Sequence, residues 1–318
     1  MENKLLGLHH VTAMTKDAIE NYKFFTEILG MRLVKKTVNQ DDIYTYHTFF
    51  ADDVGNAGTD MTFFDFPNQV KGKKGTNSLY RTSFRVPSDA AIEYYKKRFE
   101  TFNVTHEEIT EFNGHKILRF EDDDEQYYQL ISDEHNSGVR AGIPWENGPV
   151  PKEYAIYGLG PMVIKVSYYD AFIDMLQNVY DMEVASKNDT YTILTMGEGG
   201  NGAELHVFHD EKSEDSKQGY GEIHHVAFRV KDDESLNNWV QRYKEHRVPN
   251  SGIIDRFYFK ALYARIGHIL FEISTDGPGF MTDESYETLG ESLALPPALE
   301  HRREDIETRV RPFDTSRK

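Results

Sequence analysis

Four times along this chain a strand-like segment runs into a capped amphipathic helix, and that recurrence limits the fold more than any other feature. The segments are Leu8–Met14, Leu79–Val86, Pro161–Val166 and Ile223–Val230. Ser, Thr or Asp stands at each helix start as the expected N-cap. Apolar residues then recur at three- and four-residue spacing, as in Ile19, Tyr22, Phe25 and Leu29, with Gly30 closing the first helix. About three further strand candidates follow each helix. In the first unit they are Met31–Val38, Tyr44–Phe50 and Met61–Phe66; in the fourth they fall near Ile253–Ile254, Phe257–Ala264 and Ile269–Ser274. The unit reads β-α-β-β-β and is roughly 60–80 residues long.

One helix covers one face of such a sheet and leaves the other open, so two units can turn their open faces toward a shared cleft. The expectation is an α+β fold of four βαβββ modules paired into two curved mixed sheets. Along the chain, modules one and two occupy 1–135, and a Gly- and Pro-rich linker spans 136–153. Modules three and four occupy 154–282, and 283–318 is a C-terminal extension. Its charged stretch after Pro296-Pro297 reads as a short helix that either packs across another chain or stays solvated.

Two modules open on a histidine doublet, His9-His10 and His224-His225. Alternation along a strand lets one histidine of each pair face a given side. Val226, Phe228 and Val230 take His224 under the helix, and Val11 and Ala13 take His9, which leaves His10 and His225 facing the cleft. In the last strand of the fourth unit Phe271 and Ile273 share one face and Glu272 lies opposite. A carboxylate there is costly unless paired or metal-bound. Two His and one Glu make the facial triad that leaves coordination positions open on Fe(II). The repeats act as an internal control. At the histidine position the second unit has Arg81 and the third Pro161; at the Glu272 position they have Gln129 and His206, and the first has phenylalanine around Phe63–Phe64. The prediction is one metal per chain, between the first and last modules, with the other pair unable to build such a site.

Composition narrows the chemistry. The 318 residues include no cysteine, so thiolate metal sites, disulfides and cysteine nucleophiles are excluded and any metal must take N and O ligands. Lys and Arg number 36 against 53 Asp and Glu, a net charge of −17 that argues against nucleic-acid or anionic-membrane partners. No apolar run is long enough to span a membrane, and MENKLLGLHHV lacks the pattern of a signal peptide, so a cytoplasmic location is expected. The remaining histidines, His47 among them, read as structural or exposed. Glu121–Glu125 reads as a solvated turn, and Gly197–Gly202 as a loop without a phosphate cradle.

The modular pattern resembles the vicinal-oxygen-chelate superfamily of glyoxalase, bleomycin-resistance and extradiol dioxygenase folds. The opening GLHHVTA, the internal HHVAF, DRFYF at 255–259 and LPPALE at 295–300 are together similar to the bacterial ring-cleaving dioxygenases of the MhqO-like, hydroquinone-specific group. That resemblance implies an Fe(II)-dependent extradiol-type enzyme that acts with O₂ on hydroquinone or catechol-like aromatics, in quinone detoxification. It puts the metal ligands on His10, His225 and Glu272, and the tyrosine that assists ring cleavage on Tyr263. Tyr258 and Arg256 are expected to line the substrate pocket. One departure is Leu262–His268, shorter here than the family's turn and lacking the aromatic after Tyr263. The alternatives are a glyoxalase-type isomerase or thiol transferase using Mn, Ni or Zn, and a non-catalytic small-molecule binder. Whether copies associate into a homo-oligomer stays open.

Overall fold

In the computed structural model, which describes residues 4–317, each module supplies four strands and a helix. Module one comprises β1 (Leu8–Thr15), α1 (Ala18–Lys23), β2 (Arg32–Asn39), β3 (Asp42–Ala51) and β4 (Asp60–Asp65). Module two comprises β5 (Ser78–Val86), α2 (Asp89–Phe102), β6 (Thr110–Phe112), β7 (His115–Glu121) and β8 (Tyr127–Ser132). A two-residue strand, β9 (Gly158–Leu159), precedes module three: β10 (Met162–Val166), α3 (Tyr169–Asn178), β11 (Glu183–Lys187), β12 (Tyr191–Thr195) and β13 (Glu204–His209). Module four comprises β14 (Ile223–Val230), α4 (Asp233–Glu245), β15 (Asn250–Asp255), β16 (Lys260–Ile266) and β17 (Ile269–Thr275).

Capping accounts for three of the four helix starts. Asp17, Ser88 and Asp232 are extended, and each side chain accepts a backbone N–H of the first turn. The third helix departs from expectation: its N-cap is Tyr168 with no side-chain cap bond, because the Ser167 hydroxyl donates to Asn77 Oδ1 instead (3.1 Å). The first helix turns into a π-helical segment at Phe24–Ile28, which buries Phe24 and Phe25 side by side.

The sheets cross the linker. One has the order β15-β16-β17-β14-β1-β4-β3-β2 and so joins modules four and one. The other, β11-β12-β13-β10-β5-β8-β7-β6 with β9 beside β5, joins modules three and two. Each half of the chain therefore gives one module to each sheet, and the seams are the antiparallel pairs β1–β14 and β10–β5. The helices fill the space behind the open faces in a single core. Phe25 meets Phe50 and Phe63 of one sheet and Phe84 and Tyr128 of the other, at centroid distances from 4.9 to 6.1 Å.

The extension packs on its own chain along one face, while its outer face is exposed. Ile306 of α5 (Arg303–Arg309) is fully buried with Val38 and Leu295, and Phe313 lies against Tyr22 and Tyr46. Nearer β17, Phe280 packs on Phe49 and Tyr258. Lys35 is fully buried beneath this segment; its ammonium donates to Asp283 (2.7 Å) and Glu284 and lies 4.7 Å from the Tyr258 ring centroid. Lys35→Ala would leave the carboxylates facing an emptied site and should lower the unfolding free energy by about 3 kcal/mol in urea titration. A loss under about 1 kcal/mol would show the ion cluster to be dispensable.

One surface reading changes, and one loop gains a reason for its composition. Asp122 and Asp124 are turned inward: Tyr128 Oη–H donates to Asp122 (2.9 Å), and Thr15 Oγ1–H donates to Asp124 (2.7 Å), tying module two to β1. The loop 197–202 is glycine-rich because the linker passes over it. A Cβ on Gly200, at φ +81°, would lie 1.8 Å from Ser137 O.

Candidate metal centre

The seam between β1 and β14 is irregular where the histidines lie. Leu8 pairs with Phe228 but Val11 with Val226, and Thr12 pairs with His225 but Ala13 with Ile223. Each strand thus carries one extra residue at its doublet, a β-bulge. A bulge interrupts strict alternation, so the expected placement of His9 and His224 under the helices is corrected. Both rings lie beside their neighbours on the cleft side, with Nδ1–Nδ1 distances of 2.9 Å for His9 and His10 and 2.8 Å for His224 and His225. Phe259 packs on His9 and His10, both at 5.2 Å, and Phe64 on His224 at 5.6 Å.

The bulges aim His10 Nε2 and His225 Nε2 at one point, 3.3 Å apart, and Glu272 Oε2 lies 3.2 and 2.9 Å from them. Glu272 reaches it from β17, where it stands beside Ala227 and opposite Tyr263. All three side chains are buried. Among the described residues this is the one group of three His, Asp or Glu whose ligand atoms converge within 4.8 Å.

Hydrogen bonding fixes what those atoms offer. His9 Nε2 lies 3.0 Å from Thr275 O, and a carbonyl can only accept, so Nε2 carries the proton. Burial, reinforced by His10, pushes the His9 pKa down to about 3, so its Nδ1 is a lone pair that accepts from His10 Nδ1–H. His10 Nε2 is left bare. Burial likewise lowers His224, to about 3, and lowers His225, and the same relay runs between them. Ser274 Oγ–H donates to Glu272 Oε1 (2.5 Å), while Oε2 is buried without a hydrogen-bond donor. An orphaned carboxylate oxygen facing two imidazole lone pairs is a donor set suited to a divalent cation.

Around this point is a pocket of about 40 Å³. Tyr263 lines it with its ring 5.8 Å from His225; burial and the nearby Glu272 raise its pKa, so the phenol stays protonated. Tyr258 also lines it, but its hydroxyl is turned away to donate to Asp283 (2.8 Å). Arg256 stands at the mouth. Its guanidinium donates to both carboxylate oxygens of Asp41 (3.2 and 2.8 Å), and Gln40 Nε2 donates to Arg256 O (2.9 Å). This strap joins the β2–β3 turn of module one to the β15–β16 turn of module four. Phe257, at φ +73° in that turn, is strained backbone beside the site.

Two features lay outside the sequence reading. His47 of β3 lines the pocket, 3.0 Å from Thr62 Oγ1, with its pKa driven well below normal by burial and by the neighbouring His10 and His225. Its place on the cleft-facing parity of β3, two residues before Phe49, was the available signal. Thr62 itself corrects the internal control. It stands beside Thr12 as Glu272 stands beside Ala227, so module one offers a threonine at the carboxylate position and Phe63 points into the core.

The Glyoxalase/Bleomycin resistance protein/Dioxygenase superfamily model matches residues 7–129 and 158–280, two modules in each match. The chain belongs to this superfamily. Within the superfamily it is 43% identical over 316 residues to "Putative ring-cleaving dioxygenase MhqA" of Bacillus subtilis (strain 168), covering 98% of this chain and 99% of that one. It is 29% identical over 317 residues to the chlorohydroquinone/hydroquinone 1,2-dioxygenase of Sphingobium indicum, covering 96% of both. A crystal structure from Bacillus subtilis, described as a "putative dioxygenase", superposes with a TM-score of 0.90 at 34% identity over 98% of both chains.

Proposed function

We propose that the chain is an Fe(II)-dependent ring-cleaving dioxygenase that acts on hydroquinone or catechol-like aromatics and incorporates both atoms of O₂. The observation that carries this reading is Glu272 Oε2, buried without a donor and facing the bare nitrogens of His10 and His225. The dioxygenase relatives, one of them named for hydroquinone, support the substrate class. Iron bound there would supply Lewis acidity and one-electron chemistry for coupling an electron-rich ring to dioxygen.

The chain's own residues do the rest. Phe49, Phe64 and Phe259 give the pocket aromatic walls that hold a planar ring and exclude water. The protonated Tyr263 hydroxyl is placed to donate to a substrate oxygen, and Arg256, 5.6 Å from that ring's centroid, raises the local potential for an anionic phenolate. A glyoxalase-type isomerase is the weaker reading because Thr62 occupies the position of a second carboxylate. A role in removing hydroquinones before they cycle to quinones is consistent with a chain holding no thiol for quinones to alkylate.

Anaerobic reconstitution with Fe(II), followed by oxygen uptake with 2-methylhydroquinone and with catechol, tests this reading. Wild type should consume O₂ with one of them. Tyr263→Phe should retain its iron but turn over roughly a hundredfold more slowly. Iron-loaded wild type that consumes no O₂ with either compound would overturn the proposal. Full turnover by Tyr263→Phe would remove the tyrosine from the chemistry.

A further inference from the structure

The second sheet has a cleft of its own, and its chemistry is different. Ser83 stands beside Gln129 and Val163 beside His206, as Ala227 stands beside Glu272. Two residues earlier on each seam strand, Arg81 and Pro161 therefore occupy the positions of the ligand histidines. The metal-binding pattern is gone, yet the space is larger: about 320 Å³, against about 40 Å³ at the metal centre.

What lines that space is cationic and aromatic. Arg81, Arg119 and Lys165 all face it, and no Asp or Glu of the described residues does, in a chain of net charge −17. Arg119 and Lys165 have carboxylates outside the cleft, Glu107 at 3.3 Å and Asp210 at 3.8 Å. Arg81 has none. Its Nη1–H donates to Tyr128 O (3.1 Å), and it forms no ion pair with a carboxylate of the described residues. A half-buried guanidinium that no carboxylate contacts, with Glu107 acting on it only from its pair with Arg119, is expensive, and burial already lowers its pKa. Phe112 from module two and Phe208 from module three form the walls, with centroids 6.0 Å apart.

We propose that the cleft between modules two and three is a binding site for a small monocyclic aromatic carboxylate. The carboxylate sits on Arg81 with Lys165 beside it, and the ring lies against Phe112 and Phe208. The unpaired guanidinium selects the anion through a charge-assisted, bidentate contact. The aromatic walls favour a ring over a bare oxyanion, which would leave them uncovered. The site needs no metal and stands independently of the ring-cleavage reading.

Calorimetric titration of the full-length chain with benzoate, benzamide and inorganic phosphate tests the proposal. Benzoate should bind, with benzamide and phosphate each at least about tenfold weaker. Arg81→Gln should weaken benzoate by about tenfold or more, and Lys165→Gln severalfold, while His225→Ala leaves it within about twofold. Lys165→Gln alters a half-buried amine and keeps the test readable if Arg81→Gln folds poorly. No benzoate binding up to about 10 mM would overturn the proposal, as would unchanged affinity in both cation variants. Loss of binding in His225→Ala would relocate the ligand to the metal centre. Phosphate binding as tightly as benzoate would reduce the cleft to a generic anion patch, and either result would overturn the proposal.

Discussion

Glu272→Gln is expected to cost the centre its metal and to lower dioxygen consumption on the order of a thousandfold, while the fold survives. Glutamine matches the shape, and the Ser274 hydroxyl can still donate to its carbonyl oxygen. What changes is the group facing His10 Nε2 and His225 Nε2, which lie 3.2 and 2.9 Å away. Glutamine puts N–H donors there, so the two lone pairs that now meet a carboxylate oxygen would find partners without a cation. The metal-free variant should therefore melt at the same temperature as the metal-free parent or above it. That pairing of lost activity with undiminished stability marks a residue kept for function. Metal content by elemental analysis, oxygen uptake and a thermal melt together decide the matter. Retained metal and turnover would remove Glu272 from the ligand set, and a much lower melting temperature would make it a structural carboxylate.

The second large effect is expected at His9, which touches no substrate. His9→Leu should weaken metal binding roughly ten- to a hundredfold, because nothing then accepts from His10 Nδ1–H and the ring is free to turn or change tautomer. His9→Asn should recover most of the loss, since its amide oxygen can accept the same proton. His224→Leu should cost less, because His224 is only partly buried and has no carbonyl partner comparable to Thr275 O. Chelator competition measures the affinities. Unchanged affinity in His9→Leu would make the ring packing material only, and failure of His9→Asn to recover would exclude the hydrogen-bond relay.

The sequence exposes the modules well because helix and strand periods repeat on a scale that chance does not reproduce four times. The convergence of His10, His225 and Glu272 was legible for the same reason: repeat position and strand parity select them together. Parity misleads at their neighbours. An extra residue in a strand leaves no compositional trace, so His9 and His224 read as core while the bulges turn them to the cleft. A one-residue error in register likewise put phenylalanine where Thr62 stands. The strap from Arg256 to Asp41 and the burial of Lys35 under Asp283 and Glu284 join positions more than 200 residues apart. Each of these residues alone looks like an ordinary surface charge.

The order of the seams sets a timetable for synthesis. The inner pair, modules two and three, can close its sheet while the ribosome is still making the fourth module. The outer pair cannot. His10 and His225 are 215 residues apart and Glu272 comes later still, so β1 leaves the ribosome early and waits with one edge unpaired. The metal centre is thus among the last parts of the molecule to exist, and its assembly reports that nearly the whole chain has been made and folded.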